Sequence, residues 1–261
     1  MNHQKLANKN IIISAAADGI GWSIAEYCMN SGAKVFLTDI NEEKLSLLKN
    51  HKNYNTTLFL KKVNANIAES VLNYSLELKN QISSIDVLIN NIGIAGPTGK
   101  IEDLDIEEWK KTIDVNINSH FYFSKYFIPL LKINGGSIIN LSSTAGLFGF
   151  PLRTPYVASK WAIIGLTKTL AIELGKFDIR VNAICPGSVS GDRMKRVIED
   201  KAKSMGISEK ELQNDFEAMT SLNTFVDKED IANMVVFLLS DAAKRISGQS
   251  ITVDGNTERM N

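Results

Sequence analysis

The sequence has little of what would staple a chain or bind a metal. Its two cysteines, Cys28 and Cys185, lie in apolar stretches with no CxxC or Cys/His spacing. That argues against a disulfide framework and reads as two reduced core thiols in a reducing compartment. The three histidines, His3, His51 and His120, are scattered, so no metal site is expected. Excess charge is also missing, since 29 Lys+Arg balance 29 Asp+Glu. With no basic run, no nucleic-acid partner is expected. No apolar stretch approaches roughly 18 residues, so no membrane association is expected. Residues 1–10 are polar and lack the apolar core of a signal peptide. The expected location is cytoplasmic.

What the sequence does have is alternation. Short apolar runs at 10–15, 34–39, 58–63, 85–90, 137–141, 179–184 and 251–253 read as strands. Amphipathic stretches at 19–31, 42–49, 69–81, 106–132 and 155–175 read as helices. Strands that are continuously apolar and β-branched imply a parallel sheet covered on both faces. The expected fold class is α/β, a single doubly wound domain over 1–261 with no repeat or linker. In such a sheet, ligands sit beyond the carboxyl ends of the strands. Residues 187–227 break the rhythm. They are polar, mostly helical and too long for an ordinary connection, which suits a helical substrate lid.

The turn after the first strand reads Ser14-Ala15-Ala16-Ala17-Asp18-Gly19-Ile20-Gly21. Small residues there let a backbone approach a pyrophosphate at a helix N-terminus; ordinary turn glycines are the other reading. Asp39 closes the second strand about twenty residues later, where a carboxylate can accept both ribose hydroxyls of an adenosine. It would repel a 2′-phosphate, as would Asp18, and the turn holds no Arg or Lys. NAD is therefore favoured over NADP, unless Asp39 only caps the next helix. Asn90 and Asn91 end the fourth strand and Gly93 follows. Their amides fit either a strand-bridging role or a cofactor contact.

Tyr156-Val157-Ala158-Ser159-Lys160 places a phenol and an ammonium on one helical face. A phenol of reference pKa about 10 is a poor base at neutral pH. A neighbouring ammonium favours the phenolate. Such a tyrosine can take a proton from an alcohol while hydride leaves the same carbon, or give one back. Alone the pair could be chance. Ser142-Ser143 ends the fifth strand and could hold a substrate oxygen, and Asn116 lies within the 106–132 helix.

Together these segments carry a resemblance. In order they are SAAADGIG, LINNIG, DVNINS, INLSSTAG, YVASK, VNAICPG and SGQSITVDG. From Asn10 to Gly255 the chain resembles the short-chain dehydrogenase/reductases. The resemblance implies a Rossmann-type domain with a seven-stranded sheet and an NAD(H)-dependent oxidoreductase interconverting a secondary alcohol and a ketone. It implies that Ser143 positions the substrate oxygen and that Tyr156 is the acid/base. Lys160 would lower the tyrosine pKa and bind the nicotinamide ribose, and Asn116 would support a proton-relay water. Cofactor contacts would come from Ser14, Ala17, Asp18, Gly19, Ile20, Gly21, Asp39, Asn64, Ala65, Asn90, Gly93, Tyr156, Lys160, Pro186, Gly187 and Val189. Hydride transfer would use the B-face. A homotetramer or homodimer would form on helices 106–132 and 155–175.

Five positions depart from the family pattern: Ala15 for the first Gly, Ile92 for Ala, Asn64 for Asp, Ser190 for Thr and Asn256 for the second Gly of VDGG. None is among Ser143, Tyr156, Lys160 and Asn116. For the substrate, Arg153 lies one helical turn before Tyr156 and Arg193 opens the lid. Arg suits bidentate recognition of carboxylate or phosphate, so a small polar or anionic hydroxy compound, such as a sugar, sugar acid or hydroxy acid, is expected. Structural ion pairing of both arginines is the competing reading. Leu147, Phe148, Phe150 and Leu152 leave open a hydrophobic ketone of steroid or acyl type. A non-catalytic NAD-binding module is the alternative from another class.

Overall fold

The structure is a computed structural model that describes residues 6–258, with the side chain of Arg193 outside the described residues. Seven strands form one parallel sheet in the order β3-β2-β1-β4-β5-β6-β7. They are β1 Asn10–Ile13, β2 Lys34–Asp39, β3 Leu58–Lys62, β4 Val87–Asn90, β5 Gly136–Leu141, β6 Ile179–Pro186 and β7 Ser250–Val253. The expected seven-stranded Rossmann-like α/β fold is borne out.

Ile11, Ile12 and Ile13 of β1 are all fully buried, because a central parallel strand has helices on both faces. One core layer joins β1 and β2 to α1 (Gly19–Asn30) and α9 (Lys228–Leu239). The opposite layer joins the sheet to α3 (Ala68–Lys79) and α5 (Ser119–Leu131) through Tyr74, Phe123 and Phe127. The chain crosses between layers at β1 and β4, and that switch opens the crevice where this architecture binds ligands.

Two differences from the sequence expectation have physical causes. The helix expected over 106–132 is not uniform. It runs as α4 (Ile106–Ile113), a π-helical turn (Asp114–Asn118) and α5. The extra residue of that turn carries Asn116, whose amide is tied to the backbone of Ile94. Such single-turn bulges accompany functional sites. The second difference is α9, which the strand-and-helix reading left without an element. Its start is nevertheless written in the sequence as a capping box of Asp227 and Asp230.

Residues 187–227 form the expected helical excursion, with α7 at Asp192–Met205 and α8 at Glu209–Ala218. They pack on each other through Ile198, Ala202, Leu212, Phe216 and Met219. The excursion leaves and rejoins the body at one place. Ser190 N donates to Val226 O at 2.9 Å, and Val226 N donates to Ser188 O at 2.9 Å.

Candidate active site

All seven strands are parallel, so their carboxyl ends lie on one edge. That edge holds the turn after β1, Asp39, Asn90, Ser142-Ser143 and Pro186. The side chain of Asp39 reaches back to this turn: its Oδ2 accepts from Ala17 N at 3.0 Å and its Oδ1 from Asn41 N at 2.9 Å. The carboxylate is thus fixed in place, although α2 (Glu42–Leu48) is capped by Asn41. Asp18 caps α1, accepting from Gly19 N at 2.6 Å. Its carboxyl is held below the ordinary range, first by hydrogen bonding to Lys44 and then by the Gly19 amide.

Lys44 modifies the electrostatic argument from the sequence. The turn itself has no cation, yet α2 supplies one at 2.6 Å from Asp18. Asp18 is therefore neutralised in part, and most of the case against a 2′-phosphate moves to Asp39.

The turn fits a dinucleotide. A Cβ built on Gly19 would meet nothing within 4 Å, so space opens above the N-terminus of α1. A Cβ on Gly21 would lie 2.5 Å from Asn91 Nδ2 and 2.7 Å from Ala16 Cα. The same Asn91 amide donates to Ala15 O at 2.7 Å, and Asn91 N donates to Ser14 Oγ at 3.2 Å. Gly21→Ala would push the turn off this brace. We expect it to raise the Kd for NAD by about tenfold or more and to lower stability by about 1–3 kcal/mol, measured by cofactor titration and thermal melts. Ala15 adopts a left-handed conformation, with φ at 51°, which explains why glycine is the usual residue there.

Asn90 faces inward rather than toward the crevice. Its Nδ2 donates to Asn140 Oδ1 at 2.8 Å, and Asn140 Nδ2 donates to Thr167 Oγ1 at 2.9 Å. Of the two readings of Asn90, the described contacts are those of a bridge between strands. Asn64 is engaged locally, its Oδ1 accepting from Asn66 N at 3.1 Å.

The chemical half is built on α6 (Thr154–Leu174), which starts with Pro155 in its first turn. Tyr156 and Lys160 lie on one face, with Lys160 Nζ 5.6 Å from the phenol ring centroid. Lys160 is buried, and its ammonium donates to Leu141 O at 2.9 Å. Ser142 Oγ donates to Lys160 O at 2.9 Å, tying the end of β5 to this helix. Ser143 is also buried, and its Oγ accepts from Ala145 N at 3.2 Å. That bond uses a lone pair and leaves the hydroxyl proton available. A Cβ on Gly93 would stand 3.3 Å from Lys160 Nζ, so the glycine keeps open the space before the ammonium.

Asn116 is fully buried, and its amide is used on both ends. Oδ1 accepts from Ile94 N at 2.7 Å, while Nδ2 donates to Ile94 O at 3.1 Å and Ser159 Oγ at 2.9 Å. It joins the π turn, the segment after β4 and α6 into one support. Cys185 on β6 is buried nearby, and burial pushes its thiol up to about 11. Among the described residues no group of His, Cys, Asp and Glu could hold a metal ion.

Of the two arginines singled out, Arg153 is at the site. It is buried, with its guanidinium carbon 5.5 Å from the Tyr156 ring centroid. Nη1 donates to Thr98 Oγ1 at 2.9 Å and Nη2 to Ala95 O at 2.7 Å. The side chain of Arg193 lies outside the described residues. A third cation was missed by sequence reading. Lys201 of α7 is 1% exposed, with its Nζ 4.3 Å from the Phe150 ring centroid and 5.4 Å from that of Phe216. Phe150 O in turn accepts from Arg153 N at 3.3 Å. Burial, and then the charge of Arg153, push the Lys201 ammonium down to about 8. On an otherwise polar helix, nothing in the sequence distinguishes Lys201 from its lysine neighbours.

Comparison with known proteins gives a consistent result. A family profile described as enoyl-(acyl carrier protein) reductase matches residues 15–256. A trans-4-hydroxycyclohexanecarboxylate dehydrogenase of Sinomonas cyclohexanicum is 34% identical, over 96% of this chain and 93% of the relative. A D-beta-hydroxybutyrate dehydrogenase of Rhizobium meliloti (strain 1021) is 30% identical, over 95% of this chain and 97% of the relative. The crystal structure of an actinorhodin polyketide ketoreductase variant with NADPH superposes with a TM-score of 0.89 at 27% identity, covering 95% of this chain and 96% of that one. No helix among the described residues is long and apolar enough to cross a membrane. The chain belongs to the short-chain dehydrogenase/reductase family and is an oxidoreductase acting on CH–OH groups.

Proposed function

We propose that the protein oxidises the secondary alcohol of a small hydroxy carboxylate to a ketone, with NAD as the acceptor, and runs the reverse reaction when NADH is in excess. The observation that carries the substrate class is Arg153, a buried cation beside the Tyr156 ring, with a second buried cation, Lys201, close enough for the two charges to act on each other. The Arg153 guanidinium carbon is 5.5 Å from the Tyr156 ring centroid, and Lys201 of α7 sits over the Phe150 ring. Two positive charges in this corner of the structure favour a ligand of opposite sign, and a carboxylate suits them. The names of two relatives, a hydroxycyclohexanecarboxylate dehydrogenase and a hydroxybutyrate dehydrogenase, describe substrates of this class.

Each residue has a derivable part. Ser143 offers its hydroxyl proton to the substrate oxygen and fixes its place. Tyr156 takes the alcohol proton as a phenolate, and Lys160 stabilises that phenolate by charge. When bound, the nicotinamide supplies the site to which hydride passes. Asn116 holds the π turn against α6 and keeps Lys160 and the 93–95 segment in register. For the cofactor, the fixed Asp39 carboxylate would accept ribose hydroxyls and disfavour a 2′-phosphate.

The test is a panel of 3-hydroxybutyrate, 4-hydroxycyclohexanecarboxylate, uncharged cyclohexanol and a hydroxysteroid, each with NAD and NADP, read as absorbance of the reduced cofactor. We expect the carboxylates to exceed the uncharged alcohol in kcat/KM by about 10²-fold, and NAD to exceed NADP by about tenfold. A better rate with cyclohexanol or the steroid would reject the substrate class. A preference for NADP would reject the reading of Asp39. Binding of NAD with no turnover of any alcohol would favour a non-catalytic module.

Assembly as a homotetramer or homodimer is part of the same reading. Phe121 of α5 and Trp161 and Ile172 of α6 are 47%, 50% and 84% exposed, an apolar surface on the helices expected to pair. Light scattering of the purified protein checks it, and a monomer at micromolar concentration would count against it.

A further inference from the structure

The short segment 253–258 holds both legs of the 187–227 excursion. On the outgoing leg, Gly187 N donates to Val253 O at 3.0 Å. A Cβ built on Gly187 would lie 2.8 Å from Asp254 Cβ, so the two stretches of backbone are in close contact. Asp254 is buried and turns the chain: its Oδ1 accepts from Asn256 N at 3.2 Å and its Oδ2 from Thr257 N at 2.9 Å. The turn delivers the segment to the return leg. There Thr220 and Thr257 form an antiparallel bridge. Ser221 N donates to Asn256 O at 3.0 Å, Leu222 N to Gly255 O at 3.2 Å and Glu258 N to Met219 O at 2.9 Å.

Side chains add a lock to this pairing. Asn256 Nδ2 donates to Ser221 Oγ, and Ser221 Oγ donates to Glu258 Oε1 at 2.7 Å. One hydroxyl is thus used both as acceptor and as donor. Asn256 adopts a left-handed conformation, with φ at 62°, which asparagine tolerates better than most residues. All three residues are exposed, so they add nothing to a core and act by fixing the return leg in place. That placement reaches Lys201. Met219, whose carbonyl is held by Glu258 N, belongs to the same buried cluster as Ala202 and Phe216. Ala202 follows Lys201 in α7, and the Phe216 ring centroid lies 5.4 Å from Lys201 Nζ.

We propose that Asn256 is a positioning residue: through Ser221 and Glu258 it fixes the return leg of the excursion, and through Met219 it fixes the seat of Lys201. Its effect falls on substrate binding and spares the chemical step. The inference rests on the reading of Lys201 as a cation that favours an anionic substrate.

Asn256→Gly is the direct test, because glycine keeps the positive φ and removes the side-chain amide. Hydrogen exchange of a peptide covering 219–224 should be about fivefold faster than in wild type. Acetylation of Lys201 by acetic anhydride, read by peptide mass spectrometry, should also be about fivefold faster, since a side chain so buried reacts only when its surroundings open. With 3-hydroxybutyrate and NAD, KM should rise about fivefold while kcat stays within about twofold. Ser221→Ala should reproduce all three changes, and the double variant should add little to either single one. Ser221→Thr, which keeps the hydroxyl, should behave as wild type. If Asn256→Gly does not fold, Ser221→Ala carries the test. Wild-type exchange and Lys201 labelling in the variants would overturn the proposal. So would faster exchange with Lys201 labelling unchanged, which would make the lock purely local. Failure of the substrate reading would look different: wild type would turn over 3-hydroxybutyrate no better than cyclohexanol, and labelling of Lys201 would still decide the lock.

Discussion

Tyr156→Phe should lower kcat by about 10³-fold and leave the Kd for NAD within a few-fold of wild type. Phenylalanine keeps the ring beside Arg153 and removes only the oxygen proposed to exchange the proton. Packing is therefore conserved, and thermal melts of the two proteins should coincide within about 1 °C. The measurement is steady-state reduction of NAD with 3-hydroxybutyrate or 4-hydroxycyclohexanecarboxylate, beside fluorescence titration with NADH. A kcat loss under tenfold would mean that some other group moves the proton. Loss of cofactor binding in parallel with kcat would mean that the phenol's main role is to bind.

The second large effect concerns the cations. Lys201→Met should raise the KM for the hydroxy carboxylate by roughly 10–100-fold with a much smaller change in kcat, the signature of lost ground-state binding. An uncharged alcohol should show no such rise, which separates loss of charge from damage to the packing of α7 and α8. Arg153→Met should act in the same direction. It should also reduce stability, because Thr98 Oγ1 and Ala95 O lose their donor.

Lys201 also gives the pH dependence a sign. Burial, and then the charge of Arg153, push its folded pKa down to about 8 from an ordinary value of 10.5. Between those limits the unfolded chain binds the extra proton, so stability of the ligand-free protein should climb with pH across that window. Binding of the carboxylate should move the opposite way, weakening above pH 8 as the ammonium is lost. Lys201→Arg should remove that limb, since a guanidinium stays charged. A KM that is flat from pH 7 to 10 in wild type would remove Lys201 from the substrate site.

Sequence showed the fold well because its signals were local and repeated. Each buried parallel strand announced itself as an apolar β-branched run, and Gly19, Gly32, Gly135 and Gly136 marked the breaks between elements. The candidate Ser143, Tyr156 and Lys160 were legible because an i, i+4 pair and the end of a strand are fixed by local geometry. Three features were not. The π turn at Asp114–Asn118 depends on Asn116 reaching Ile94, a contact across 22 residues that leaves no periodic trace. Lys201 sits in a helix with other lysines, and only packing of α7 and α8 against Phe150 decides which one is buried. Lys44 was overlooked because it lies 26 residues from the Asp18 it neutralises. In each case the deciding partner was distant in sequence.

The π turn has a further consequence when viewed as a phase shift. A helix carrying one surplus residue has its two halves out of rotational step by about 100°. Everything before Asp114 is indexed to one angle and everything after Asn118 to another. Removing a single residue from 114–118 would yield a more regular helix with a better backbone ladder. It would also turn either Ile106–Ile113 or Ser119–Leu131 away from its present neighbours. Asn116 would leave Ile94, or Phe123 and Phe127 would leave the sheet. A local gain in helical order would then dismantle the surroundings of Lys160, so the irregular turn acts as an angular offset that lets one long helix serve both the core and the reaction centre.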